Sequence, residues 1–305
     1  MTALAADSGM MPIALGLGVD PSFRSPMSVV VIGGLITSTL LGLLMIPVVF
    51  TYAGDAVLNI NRRLHRKRPA RRTCTEPGGK IPMSLECIEL NSNDAPAASI
   101  IVLHGLGADG HDFVPVAREL DLAAAGGARF VFPHAPLRPV TLNDGMVMRA
   151  WYDIAGPAHA RREDGAGLRA SQQLIEALIA RERERGMPAA RIVLMGFSQG
   201  CAMTLLTGLR HGERLAGLVG LSGYLPLAAM TAAERAPANT GVPIFMAHGR
   251  DDPMIDISRA EASRDALRAL GHEVEWHDYA MPHSVCMDEI ADLNRWLLRV
   301  LGGGQ

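Results

Sequence analysis

From Ser99 onward the chain repeats one texture: a short unbroken apolar run, then a longer stretch with apolar residues three and four apart. The runs are "SIIVLHG" (99–105), "RFVFPHAP" (129–136), "RIVLMGF" (191–197), "LAGLVGLSG" (215–223), "PIFMAHG" (243–249) and "VEWHDYA" (274–280). Helical patterns fall at 168–186, 201–212 and 258–271, and a last one, "DEIADLNRWLLRVLGG", closes the chain. An apolar run without alternation suits a strand covered on both faces, as in a parallel sheet. Strands of this kind alternating with helices predict an α/β domain with a doubly wound, mostly parallel sheet. In such sheets the active groups lie just past the C-terminal ends of the strands.

The third run leads into Gly-Phe-Ser-Gln-Gly (196–200) and then a helical pattern. With 32 Gly in 305 residues, chance alone places Gly-x-Ser-x-Gly in roughly one such chain in seven. The strand–turn–helix setting is what makes the pentapeptide a nucleophile elbow. Gly196 and Gly200 allow strand and helix to pack closely around a strained turn, and Ser198 is left exposed near a helix N-terminus. A serine nucleophile needs a base, and the base needs an orienting carboxylate, in the chain order Ser, Asp or Glu, His. Asp251 and Asp252 follow the run at 243–249, and His283 follows the run at 274–280. His248 precedes the aspartates, and His211, His272 and His277 fall on or beside helix and strand bodies, so they compete poorly. An oxyanion needs N–H donors from the residue after the nucleophile, Gln199, and from the loop after an earlier strand. The loop "LHGLGADG" offers Leu106. It lacks the Lys-Ser/Thr of a phosphate-binding P-loop and the G-x-G-x-x-G spacing, which argues against nucleotide binding.

"LHGLGADGHDF", "FPHAPLRPVTLNDGMVMRAWYDI", "GFSQGCAM", "LSGYLP", "HGRDDPMI" and "MPHSVC" resemble the phospholipase/carboxylesterase family of α/β hydrolases, which includes acyl-protein thioesterases. The resemblance spans about residues 85–302. It implies the α/β-hydrolase fold, Ser198 as nucleophile, His283 as base, oxyanion donors at Leu106 and Gln199, and neither metal nor cofactor. Its His-Gly-x-x-Asp-Pro pattern selects Asp252 over Asp251. The stretch ending in "MRAWYDI" resembles a wall of the acyl pocket, with Trp151 and Met148 as lining residues. Cys201, one turn into the helix, reads as buried filler. The expected activity is that of a serine carboxylesterase acting on short- to medium-chain esters through an acyl-enzyme. The alternative is an acyl-protein thioesterase or lysophospholipase on the same scaffold. The partner is a small ester or thioester substrate.

The N-terminal part has another character. Val29 to Phe50 is 22 residues without a charge, long enough to cross about 30 Å of hydrocarbon as a helix. Seven Lys or Arg follow in "NRRLHRKRPARR", so the positive-inside rule places what comes after in the cytoplasm, tethered to the inner membrane. "MTALAADSGMMPIALGLG" and "IGGLITSTLL" resemble the C-terminal end of a resistance-nodulation-division efflux transporter. That segment lacks the dozen helices such a transporter uses, so it reads as a remnant serving as an anchor; a membrane transport component is the remote alternative. The expected organisation is a segment 1–60 with its span at 29–50, a basic linker 61–84 and a catalytic domain 85–302. A net charge of −2 argues against a nucleic-acid partner bound through overall basicity. Four cysteines without a C-x-x-C pair argue against zinc or disulfide frameworks and suit a reducing compartment.

Overall fold

The computed structural model describes residues 85–156 and 162–302. The expectations for residues 1–84, including the span at 29–50 and the linker, lie outside them. Among the described residues no helix is long and apolar enough to cross a membrane.

Each of the six apolar runs forms a strand: β2 (Ala98–Leu103), β3 (Ala128–Pro133), β8 (Ile192–Phe197), β9 (Gly217–Leu221), β10 (Ile244–Gly249) and β11 (Val274–Tyr279). These pair in parallel, and β1 (Cys87–Asn91) adds an antiparallel edge against β3. The seven-stranded order is β1-β3-β2-β8-β9-β10-β11. The four longer helical patterns become α2 (Gly165–Glu184), α3 (Gln199–Arg210), α5 (Ile257–Ala269) and α6 (Met287–Gly302). Two short helices, α1 (Val114–Glu119) and α4 (Ala228–Glu234), two small hairpins and four single 3-10 turns complete the regular structure of the described residues. The hairpins are β4 (Leu137–Val140) with β5 (Met146–Arg149), and β6 (Ile154–Ala155) with β7 (Arg162–Glu163).

The strands send alternate residues into two separate cores. Ile192 and Leu194 join Ile175 and Ile179 of α2 and Leu205 of α3 on one face. Val193 and Met195 join Ile290, Leu293 and Trp296 of α6 on the other. Both faces of the inner strands are therefore covered, which is why their runs carry little polar alternation, while β11 at the edge is only partly buried. The strand order reverses between β2 and β8, the central strand. In an open α/β sheet the crevice for a ligand opens beyond the strand ends at this reversal, and the loops holding Leu106 and Ser198 start there.

Candidate active site

Ser198 sits between β8 and α3 with φ 56° and ψ −116°. A positive φ for a residue with a side chain costs on the order of 1–3 kcal/mol and persists only where the surroundings enforce it. The glycines show the enforcement. A Cβ on Gly196 would stand 2.2 Å from the carbonyl of Gly200, and one on Gly200 would stand 2.0 Å from Leu103 O. Strand, turn and helix are thus in backbone contact. The Ser198 amide donates to Leu221 O at 2.9 Å, so the turn is fastened to β9 as well. Behind it lies Cys201, fully buried, its thiol pushed up to about 12 by that burial. This keeps it a protonated packing residue.

Asp252 and His283 meet beside the serine. His283 Nδ1 lies 2.6 Å from Asp252 Oδ2. The other carboxylate oxygen, Oδ1, accepts the N–H groups of Met254 at 2.8 Å and Ile255 at 3.0 Å. Burial alone would raise this carboxyl. The Ile255, His283 and Met254 hydrogen bonds outweigh that cost and hold it below its ordinary value. Buried His248 adds a contact, with Nε2 at 3.3 Å from Asp252 Oδ2 and 2.8 Å from Ile255 O. Asp251, by contrast, is exposed. The His283 ring packs on Phe197, with centroids 4.7 Å apart.

Ser198 and His283 line one cavity of about 540 Å³, together with Leu106 and Gln199. Ser198 and His283 make no hydrogen bond to each other, a contact that in many such sites closes only when substrate is in place. The backbone N–H groups of Leu106 and Gln199 donate to no protein acceptor among the described residues. Met148 lines the cavity as well. Trp151 does not. It is fully buried, with its indole N–H on His104 O at 2.9 Å and its amide on Gln199 Oε1 at 2.8 Å. The Gln199 side chain also donates to Tyr152 O at 2.7 Å. Trp151 is therefore committed to fixing the segment from behind, and Tyr152 lines the cavity in its place.

Tyr152 is one of several cavity residues that sequence reasoning did not single out. Its hydroxyl lies 3.0 Å from that of Tyr224, and burial raises its ionisation so that it stays a neutral phenol. The Arg259 guanidinium stacks 3.4 Å from the Tyr224 ring centroid, a cation–π contact. Glu163 stands 3.9 Å from Arg259. Tyr224 could have been found, since it follows β9 on the same sheet edge as the other site residues. Glu163 and Arg259, on a two-residue strand and in the first turn of a helix, give no such signal.

A doubly wound sheet, a serine on a strained strand-to-helix turn and a buried Asp–His pair beside it define the class: a hydrolase of the α/β-hydrolase fold. The profile of the family described as Phospholipase/Carboxylesterase matches residues 85–301, and the chain belongs to that family. It is 39% identical over 215 residues to acyl-protein thioesterase 1 of Yarrowia lipolytica, covering 69% of this chain and 95% of the relative. Among solved structures it resembles Arabidopsis thaliana SOBER1, with TM-score 0.63 and 29% identity over 67% of this chain and 99% of that one. Acyl-protein thioesterase 2 of Zea mays gives TM-score 0.63 and 28% identity, covering 71% of this chain and 99% of that one. Residues 1–54 match a second family, AcrB/AcrD/AcrF. The protein is a carboxylic ester hydrolase in this broad sense.

Proposed function

We propose that the chain cleaves acyl thioesters and esters by two-step acyl transfer, with acyl-protein thioesterase activity ahead of the short- to medium-chain carboxylesterase activity expected from the sequence. The Yarrowia lipolytica and Zea mays relatives named above carry the thioesterase name, which supports that order. The observation that carries the mechanism is the 2.6 Å contact between His283 Nδ1 and Asp252 Oδ2 beside Ser198. With Nδ1–H held by Asp252, Nε2 of His283 is the free base that takes the Ser198 proton as Oγ attacks the carbonyl. Asp252 fixes that tautomer and stabilises the imidazolium. The Gln199 and Leu106 amides receive the oxyanion. The leaving thiol or alcohol takes the proton from His283. Water, activated by His283, then releases the acid from Ser198. Residues 29–50 anchor this domain at the cytoplasmic face of the membrane, a reading that rests on their hydropathy and on the basic run after them.

The test is hydrolysis of S-acylated peptides measured against p-nitrophenyl esters of rising chain length, for wild type and Ser198→Ala. The variant is expected to fold and to lose on the order of a million-fold in turnover. Retention of more than a few per cent of turnover removes Ser198 from the nucleophile's role. A kcat/KM on short esters far above that on acylated peptides returns the carboxylesterase reading.

A further inference from the structure

Two histidines at the ends of neighbouring strands fasten the loop that carries Leu106. His104 follows β2 and His134 follows β3. The amide of Ala135 donates to His104 Nε2 at 3.0 Å, and the amide of Gly110 donates to His134 Nδ1 at 3.1 Å. The exchange is reciprocal, since each ring accepts an N–H from the segment leaving the other strand. A backbone amide can only donate, so both ring nitrogens are unprotonated. His104 therefore carries its proton on Nδ1, which donates to Gly105 O at 2.7 Å. His134 carries its proton on Nε2. Protonating either ring fully would set an N–H against an N–H.

The loop is held tightly at both ends. A Cβ on Gly110 would stand 2.6 Å from Phe132 O, so this end already touches β3. Nearer Leu106, the Gly107 amide donates to Arg149 O at 2.9 Å. The charged and titratable groups around His134 are Arg149 from β5, Asp109 and His111 from the loop, and Glu86 from the segment before β1. Those around His104 are Asp109, Asp112 and His134. Burial comes first in keeping both imidazoles below their ordinary ionisation, and the nearby carboxylates oppose it without prevailing.

Resting on the reading that the Leu106 amide receives the oxyanion, we infer that His134 is a positioning residue whose unprotonated Nδ1 holds the 105–110 loop in register for that amide. Protonation of the ring releases the loop and lowers turnover.

Two substitutions in the full-length chain test this. His134→Asn places Oδ1 near the site of Nδ1 and cannot be protonated, whereas His134→Phe fills the space without an acceptor. At pH 8 the Phe variant is expected to lose about 100-fold in kcat with KM within about threefold, the pattern of a misplaced transition-state donor. The Asn variant is expected to keep kcat within about threefold. Between pH 8 and 5 wild type should lose more kcat than the Asn variant, which lacks the ring that can take a proton. The Gly110 amide resonance should titrate in wild type and stay still in the Asn variant. An Asn variant as slow as the Phe variant, a Phe variant as fast as wild type, or superimposable pH curves overturn the inference. If the Phe variant does not fold, the wild type–Asn comparison decides alone. Were wild type inactive on every ester and thioester while Gly110 still followed His134, the hydrolase reading would fail and the loop contact would stand.

Discussion

Asp251 and Asp252 are chemically identical and one residue apart, yet their surroundings are opposite. Asp252 holds His283 and two backbone amides on a side chain closed to solvent, while Asp251 is exposed. Asp252→Asn is expected to cost about four orders of magnitude in kcat, the scale of losing an orienting carboxylate, and Asp251→Asn less than about threefold. Steady-state assays of the pair check this, and equal losses would refute it. The same contacts set a pH dependence. A carboxyl held below its ordinary value contributes stability that is complete above that value and lost as pH falls through the lowered one. At this scale the sequence was half legible. The order Ser, Asp, His read from strand ends left two aspartates open, and only the Asp-Pro of the family pattern separated them. Trp151 was the wrong neighbour for a reason the sequence does not carry: its contacts are with Gln199 and His104, more than 40 residues away in either direction, while Tyr152, also buried, lines the cavity.

The elbow between β8 and α3 is an element-scale object, because its geometry is backbone against backbone. Gly200→Ala forces a Cβ onto Leu103 O at 2.0 Å. Overpacking of this kind costs about 1–3 kcal/mol or more. Urea unfolding should show the loss, and kcat should fall with it because Ser198 shares the turn. A second prediction belongs to α6. Glu289 lies in its first turn, fully buried, and neither carboxyl oxygen has a hydrogen-bond partner. Burial pushes this carboxyl from 4.5 up to about 8, with the Cys286 backbone opposing weakly. The unfolded chain releases the proton first, so stability should decline as pH rises from about 4.5 to about 8. Glu289→Gln is expected to flatten that decline, by an amount on the order of a few kcal/mol, read from denaturation at pH 5 and pH 8. Equal slopes for wild type and variant would refute it. The inner parallel strands were legible because burial on both faces leaves mainly apolar residues, whereas the edge strand β11, "VEWHDY", partly buried and mixed in pattern, was legible only from its place in the alternation with helices. β1, "CIELN", was not, since an antiparallel edge strand is only partly buried and its pattern is mixed. α1 and α4 run 6 and 7 residues, too short for a 3.6-residue period to declare itself.

For the whole molecule, residues 85–302 contain all seven strands of the sheet, both cores and every residue placed at the site. A chain starting at Ile81 is expected to be soluble and to keep kcat/KM within about twofold of the full-length protein, which should itself partition into membranes. Cell fractionation with an esterase assay on both checks this. An inactive shortened chain would mean that the N-terminal segment belongs to the catalytic fold, and a freely soluble full-length chain would end the anchor reading. The sheet also separates the candidate nucleophile from the candidate base. Ser198 follows the central strand, whereas His283 follows β11, the edge strand that pairs with β10 alone and comes last in chain order among the described strands. A chain synthesised only as far as β10 is therefore expected to lack activity. Such a chain holds Ser198 without the proposed base, and hydrolysis is expected to begin only once β11 adds to the edge.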